Sequence, residues 1–390
     1  MCERLGKQLL PKSRKTYSLS RITDKKLMRL YMDEKVYWHG LNMVPGLGTL
    51  TYNRLIDHFK TAKCVWEAGT TELQAFFGKK NNIIAQLLIW RKQYNLEEAY
   101  NQLKKLDISI LTSIEEDYPF NLRNIYAYPP VLYYRGSIKS IAKQSLAIVG
   151  SRKSTSNGQQ VAEKIAFELA QAGFVIVSGM ARGIDSYAHR GAIRSGGETV
   201  AVLGCGLDII YPPENKKLMD LISSNGVVIS EFPPGIKPEA KNFPRRNRLI
   251  SGLSKGVIVV EAAEKSGSLI TADLALQQGR DVFAVPGSIL SPYSKGTNYL
   301  IKQGAKLVQD ANDILEEYGL PVKKEVTKKI AHLNPVEKTI LNLFSSGEIS
   351  LEEIIKKSRI KPEIVISQLS ILEIKGIIKQ LPGQRYINIL

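Results

Sequence analysis

Cysteine and histidine are scarce in this chain of 390 residues. Cys2, Cys64 and Cys205 are the three cysteines, and they form no CxxC pair. That excludes a disulfide framework and makes a reducing cytoplasm the expected compartment. The four histidines, His39, His58, His189 and His332, are clustered neither with cysteine nor with paired acids, so no metal site is expected. No stretch reaches the roughly 18 consecutive apolar residues of a membrane helix, so no membrane insertion is expected. Residues 1–30 are basic and broken by charges, without the apolar core of a signal peptide. Neither GxGxxG nor GxxxxGK(S/T) occurs. An ATP-driven activity is therefore unsupported, and no cofactor is expected.

What the chain does have is positive charge: the formal net charge is +17, with 44% hydrophobic residues to build a core. A basic surface attracts polyanions, of which nucleic acid is the commonest soluble one, although a lysine-rich composition alone gives the same total. Position along the chain has to decide.

Residues 1–117 are expected to form a helical domain, with helical apolar spacing over Lys79–Trp90 and Asn95–Leu106. Within it, Val44-Pro45-Gly46-Leu47-Gly48 precedes a helical run from Thr49 to Phe59. This resembles a helix-hairpin-helix that holds a phosphate on backbone amides, and equally a plain helix–helix turn. From 118 to 319, short β-branched runs alternate with helical segments. The runs are Ser145–Val149, Phe174–Val177, Thr199–Leu203, Val227–Ile229, Val257–Val260 and Asp281–Val285. The helical segments are Gln160–Gln171, Ile184–Arg194, Asn215–Ser223 and Ser268–Gln278. That alternation predicts an α/β fold, an extended Rossmann-like, doubly wound and mostly parallel sheet. Residues 320–332 form a charged linker. Residues 333–390 predict three helices and a hairpin, the outline of a winged helix, opened by Asn334 as cap and Pro335 in the first turn. From residue 331 on, that tail carries eight cations against six carboxylates, a small bias for a helix that reads DNA. A protein-contact or accessory role suits it better.

Three strand ends carry anion-binding chemistry. Gly150-Ser151-Arg152 follows the first parallel strand, and Ser178-Gly179 with Arg182 follows the second. Ser266-Gly267-Ser268 opens a later helix. Gly and Ser there can offer amides to a phosphate, and arginine adds a bidentate donor; Ser266 and Ser268 can equally be helix caps. Asp185 is either an acid catalyst or a helix-start acid that complements the dipole. The densest signal is Lys241-Asn242-Phe243-Pro244-Arg245-Arg246-Asn247-Arg248, four cations and an aromatic in eight residues. Aromatics that stack bases, interleaved with cations that hold phosphates, are what single-strand binding needs. Lys241, Phe243, Arg245, Arg246 and Arg248 are therefore candidate DNA contacts. Arg248 and Asn247 have a second reading, as partners of backbone carbonyls or of Glu261.

In order and spacing, GSR, SGMARGIDSYAH, GCGLDIIYPPEN, NFPRRNRLISGLS and VVEAAEKSGSLITADLALQQGRDVFAVPG closely resemble the DprA/Smf family of DNA-processing proteins, from about Tyr118 to Val308. The resemblance implies single-stranded DNA held in a basic pocket of the Rossmann-like domain, homodimerisation, and loading of a RecA-like recombinase during natural transformation, with no enzymatic activity. One departure is Pro213, where some relatives place a cation; Lys216 or Lys217 can take that duty. The competing class is a nucleotide phosphoribohydrolase of the lysine-decarboxylase-like group, whose loop resembles PGGxGTxxE. Lys265–Ala272 lacks the double glycine and the glutamate. A third class, a duplex-DNA regulator acting through the tail, is disfavoured by the tail's weak charge.

Overall fold

Alternating strands and helices place the cleft described below. In the computed structural model, residues 25–78, 81–321, 333–344, 347–374 and 377–388 are described. The basic N-terminal stretch and most of the charged linker lie outside them. Two compact units divide the chain, Met1–Leu320 and Pro321–Leu390.

Among the described residues the first unit begins with six helices, α1 (Lys25–Asn42), α2 (Thr49–Phe59), α3 (Ala62–Glu67), α4 (Thr70–Phe77), α5 (Asn82–Gln93) and α6 (Leu96–Lys105). The Pro45–Gly48 turn joins the first two helices, with Gly46 at φ +79°, a left-handed conformation that glycine adopts without strain. Then come β1 (Ser109–Thr112), α7 (Phe120–Arg123) and β2 (Val131–Gly136). Neither strand was expected, and β1 falls inside the stretch read as helical.

The alternating part follows as β3 (Ser145–Val149), α8 (Ser156–Gln171), β4 (Val175–Ser178), α9 (Ile184–Arg194), β5 (Thr199–Leu203), α10 (Lys216–Asn225), β6 (Gly226–Ser230) and α11 (Asn242–Leu253). It ends with β7 (Gly256–Val259), α12 (Gly267–Gln277), β8 (Asp281–Ala284), α13 (Lys295–Lys302), β9 (Lys306–Leu307) and α14 (Ala311–Glu317). The nine strands form one sheet in the order β1-β2-β6-β5-β4-β3-β7-β8-β9. From β6 to β9 the neighbours are parallel, while β1 and β2 add an antiparallel edge. The order reverses between β3 and β7, the switch point at which an open α/β sheet leaves a crevice outside its strand ends.

Strands in the middle of the sheet are apolar throughout because both faces are covered. Leu146 and Ile148 of β3 pack with α8, α9 and α14. Ala147 and Val149 point the other way, toward α11 and α12. The N-terminal helices bury Trp38, Leu41, Tyr52 and Leu55 in a core shared with Ala201, Leu203 and Val228 of the sheet.

The second unit contains α15 (Pro335–Leu341), β10 (Ile349–Ser350), α16 (Leu351–Ser358), α17 (Pro362–Ile374), β11 (Ile378–Leu381) and β12 (Arg385–Asn388). Its three strands pair in the order β10-β12-β11, giving a winged helix with one strand more than the expected hairpin. Asn334 caps α15 and exchanges hydrogen bonds with Glu337 in a capping box. The solvent face of α17 exposes Ile364, Ile366 and Ile371. Glu363 and Glu373 are also exposed on this helix, and residues 362–373 contain no cation.

Two histidines in the first unit are buried and neutral. His189 donates from Nδ1 to Thr199 Oγ1 at 2.7 Å, because that hydroxyl already donates to the Ile176 carbonyl at 2.6 Å. Burial pulls its pKa from 6.5 down to about 3. His39 lies 2.9 Å from the Tyr133 hydroxyl, and burial lowers its pKa to about 4. The unfolded chain binds these protons more readily than the folded one. The stability the two residues contribute is therefore complete above about pH 6.5 and lost as the pH falls through that value toward the folded pKa values. In a pH titration of the imidazole resonances, both side chains are expected to stay neutral down to pH 5; a midpoint near 6.5 for either would contradict its burial.

Candidate nucleic-acid interface

β3, β4 and β7 are neighbouring parallel strands, so the three segments that follow them emerge on one edge of the sheet. Between the segments after β3 and β7 and the first turns of α11 lies a cleft of about 730 Å³. Of the candidate residues, Gly150, Ser151, Arg152, Phe243, Arg246, Ser266, Gly267 and Ser268 line it; Ser178, Gly179, Arg182, Lys241, Arg245 and Arg248 do not.

The basic stretch forms the start of a helix. α11 begins at Asn242, and Pro244 falls in its first turn, where a missing N–H costs no intrahelical bond. Helical spacing then sends the four cations in different directions. Arg246 points into the protein and is 4% exposed. Its Nη1 donates to the carbonyls of Gly179, at 2.5 Å, and of Val202, and its Nε donates to Asn247 Oδ1 at 3.2 Å. Burial lowers its pKa to about 10, with nearby Asp185 opposing that shift, so it is charged at neutral pH. Expected on a phosphate, Arg246 instead ties β4, β5 and α11 together beneath the cleft. Arg248 pairs with Glu231, a carboxylate 3% exposed just past β6, rather than with Glu261. Arg245 shares Glu231 at 3.1 Å and keeps about half of its side chain in solvent. Lys241 is largely exposed, 2.7 Å from Glu239.

Arg152 is exposed, and no ion pair to it is formed among the described residues. Its guanidinium lies 4.7 Å from the centre of the Phe243 ring. Phe243 is held from elsewhere: the Tyr211 ring lies 5.6 Å away, and Gly204 leaves the room it needs. A Cβ on Gly204 would come within 3.0 Å of that ring. Tyr211 belongs to the quoted YPPEN motif, yet nothing in its spacing marked it as a wall of the cleft. Lys153 and Tyr293 also line the cleft and were missed; Asn247, read as a partner of backbone carbonyls, lines it too and donates through Nδ2 to the Gly267 carbonyl at 3.3 Å.

The small residues behave differently from plain anion cradles. Gly150 is needed for close packing, since a Cβ there would lie 2.6 Å from Ile184 and 2.9 Å from the Glu261 carbonyl. The Ser151 amide is already used, donating to that carbonyl at 2.7 Å. Ser178 is fully buried and donates to the Ile148 carbonyl at 2.6 Å. Gly179 makes room for Arg246, whose guanidinium would lie 2.5 Å from a Cβ. Arg182 is exposed and paired bidentately with Glu214, Nε donating to Oε1 and Nη2 to Oε2 at 3.1 Å. Ser266 caps α12 by accepting from Ser268 N at 3.4 Å, and the two hydroxyls lie 2.7 Å apart at the cleft wall. Asp185 accepts from Ala181 N at 3.3 Å, and burial raises its pKa. Lys216 and Lys217 are exposed at the start of α10, outside the cleft lining. Among the described residues no group of three or more His, Cys, Asp or Glu could hold a metal. No helix among them is long and apolar enough to cross a membrane.

Fold and cleft together define a Rossmann-like protein with a cationic, aromatic-lined crevice at the switch point of its sheet. The family model for DNA recombination-mediator protein A matches residues 109–319, and the model for the DprA winged helix domain matches residues 325–384. The chain belongs to the DNA recombination-mediator protein A family. It is 34% identical to Protein Smf of Synechocystis sp., over 90% of this chain and 98% of that protein. The X-ray structure of DNA processing protein A from Streptococcus pneumoniae is similar at a TM-score of 0.65 and 37% identity, over 72% of this chain and 97% of that one. DNA processing protein A from Helicobacter pylori, solved for its single-stranded DNA binding mode, is similar at a TM-score of 0.50 and 33% identity, over 54% of this chain and 95% of that one.

The two arginines at the cleft are expected to separate in a melting experiment. Arg246→Ala leaves two buried carbonyls without a donor and should cost about 3 kcal/mol or more. Arg152→Ala should change stability by less than about 0.5 kcal/mol, as for an exposed side chain. Equal losses from the two would contradict this division.

Proposed function

We propose that the cleft binds single-stranded DNA, and that the chain, as a homodimer, passes the strand to a RecA-like recombinase during DNA uptake and recombination. The observation that carries the first part is Arg152, an exposed cation that forms no ion pair among the described residues and lies over a half-buried phenylalanine. Phosphate recognition needs the cation and base stacking needs the ring. The guanidinium lies over one face of Phe243. Binding exchanges that stack: Arg152 swings to a phosphate, and a base takes the ring face. Lys241 and Arg245 lie on the same N-terminal stretch of α11 and extend the cationic surface; Arg182 does so across the strand ends once it leaves Glu214. The Helicobacter pylori relative supports the choice of ligand. Dimer and recombinase rest on the family kinship alone; the expectation that the protein turns over no nucleotide rests on the missing GxxxxGK(S/T) motif.

Arg152→Glu removes a phosphate contact and adds a repelling charge. Affinity for single strands should fall at least about ten-fold at low salt. The slope of log affinity against log salt should flatten by about 0.7 for the lost contact, whatever the base sequence. Wild-type affinity and slope in a variant with wild-type melting would contradict the assignment.

A second expectation concerns the tail. The exposed face of α17 presents isoleucine and glutamate where a duplex-reading helix carries cations. Removing residues 333–390 should leave single-strand affinity within about two-fold, because each phosphate contact is local to its own cation. A gel shift showing a large loss in a truncated protein that still melts cooperatively would refute this.

A further inference from the structure

Glu261 lies two residues beyond β7, and it grips the Arg152 loop at both ends. Its main-chain carbonyl accepts from Ser151 N at 2.7 Å. Its carboxylate accepts from Thr155 N at 2.9 Å through Oε2 and from Thr155 Oγ1 at 2.6 Å through Oε1. Thr155 is the cap of α8, a helix of 16 residues, and its hydroxyl also accepts from Gly158 N at 3.0 Å. Gly158 lies just inside the helix start. A Cβ at that position would come within 2.3–2.6 Å of the Glu261 carboxylate atoms, so only glycine leaves the carboxylate its seat.

The start of the first helix after the switch-point strand is where a doubly wound sheet ordinarily receives a ligand phosphate, on free amides and the positive end of the helix dipole. Here a side chain of the protein is already in place. We propose that Glu261 is the resident anion of the α8 N-terminus, a positioning and specificity residue. It fixes the Ser151–Thr155 loop so that Arg152 faces the cleft, and it bars the phosphate of a free nucleotide from the helix start. A mononucleotide then finds no dipole-backed anchor, whereas a strand is met by Arg152 above the occupied helix end. The positioning half rests on the strand-binding reading given above; the exclusion of phosphate does not.

The test uses the full chain and two probes, inorganic phosphate and a single-stranded oligonucleotide. Melting is measured in sodium phosphate and in sodium chloride at equal ionic strength, with amide hydrogen exchange followed at Thr155–Gly158. The wild-type protein is expected to melt at the same temperature in both salts, with unchanged exchange. Glu261→Ala should melt lower in chloride and recover several degrees in phosphate, as linkage requires of an anion that binds only the folded state. The recovery should come with phosphate-dependent protection of those amides. Glu261→Ala in chloride should also bind the oligonucleotide at least ten-fold more weakly. Glu261→Gln, which keeps the side chain's bulk without its charge, should remain indifferent to phosphate and lose less affinity.

Phosphate-specific stabilisation of the wild type, with protection at the same amides, would overturn the proposal. So would indifference of Glu261→Ala to phosphate, including an alanine variant that is unfolded in both salts, since an emptied cradle is expected to refill. Unchanged oligonucleotide affinity in that variant would remove the positioning half. The phosphate measurements contain no DNA, so failure of the strand-binding reading leaves their outcome untouched.

Discussion

Everything at the cleft depends on one buried guanidinium. Taking a charge out of water costs several kcal/mol unless it is paired and hydrogen-bonded. Arg246 meets that cost with the carbonyls of Gly179 and Val202, the side chain of Asn247 and the nearby carboxylate of Asp185. Those two carbonyls sit at the C-terminal ends of neighbouring parallel strands, so the arginine fixes the start of α11 against the sheet edge. Phe243, one turn earlier, is thereby set over Gly204 just past β5. The absence of a side chain at Gly179 and at Gly204 serves this same junction.

With that junction fixed, the positive charge divides by depth. Arg246 and Arg248 are structural, the first on carbonyls and the second on Glu231. Arg245 is shared between Glu231 and solvent, and Lys241 and Arg182 hold exposed acids that a polyanion can displace at little cost. Arg152 is held by the geometry of its loop, over the Phe243 ring and without an ion pair among the described residues, while the buried Asp185 carboxylate lines the same cleft. A net charge of +17 therefore overstates the charge available at the site, and the cleft depends on a few cations whose positions are set from below.

Much of the fold was legible because parallel strands buried on both faces announce themselves as short β-branched runs. Ser145–Val149 and Thr199–Leu203 match the structure residue for residue, as does the helix Ile184–Arg194. The antiparallel edge was not legible: β1 has four residues directly after a helical segment, and its pairing with β2 is settled by tertiary contact. The helical start of α11 was hidden by Pro244, which reads as a breaker unless the first turn is recognised. At the site, the motifs showed which residues meet on one edge but not which way they face. The partners that fix Ser178, Arg246 and Thr155 lie 30, 67 and 106 positions away, beyond any local pattern. Gly150 and Gly179, read as anion cradles, are instead close-packing positions, whereas a Cβ on Gly267 would meet nothing within 4 Å.

We propose that one cleft, between the loop after β3 and the start of α11, receives the strand. Hydrogen exchange across the whole chain, with and without a saturating single-stranded oligonucleotide, tests it most directly. New protection is expected at residues 150–155 and 241–247, with a smaller effect at 266–270 and none in α15 to α17. Protection confined to the winged unit or to the N-terminal helices, with the cleft segments unchanged, would contradict it.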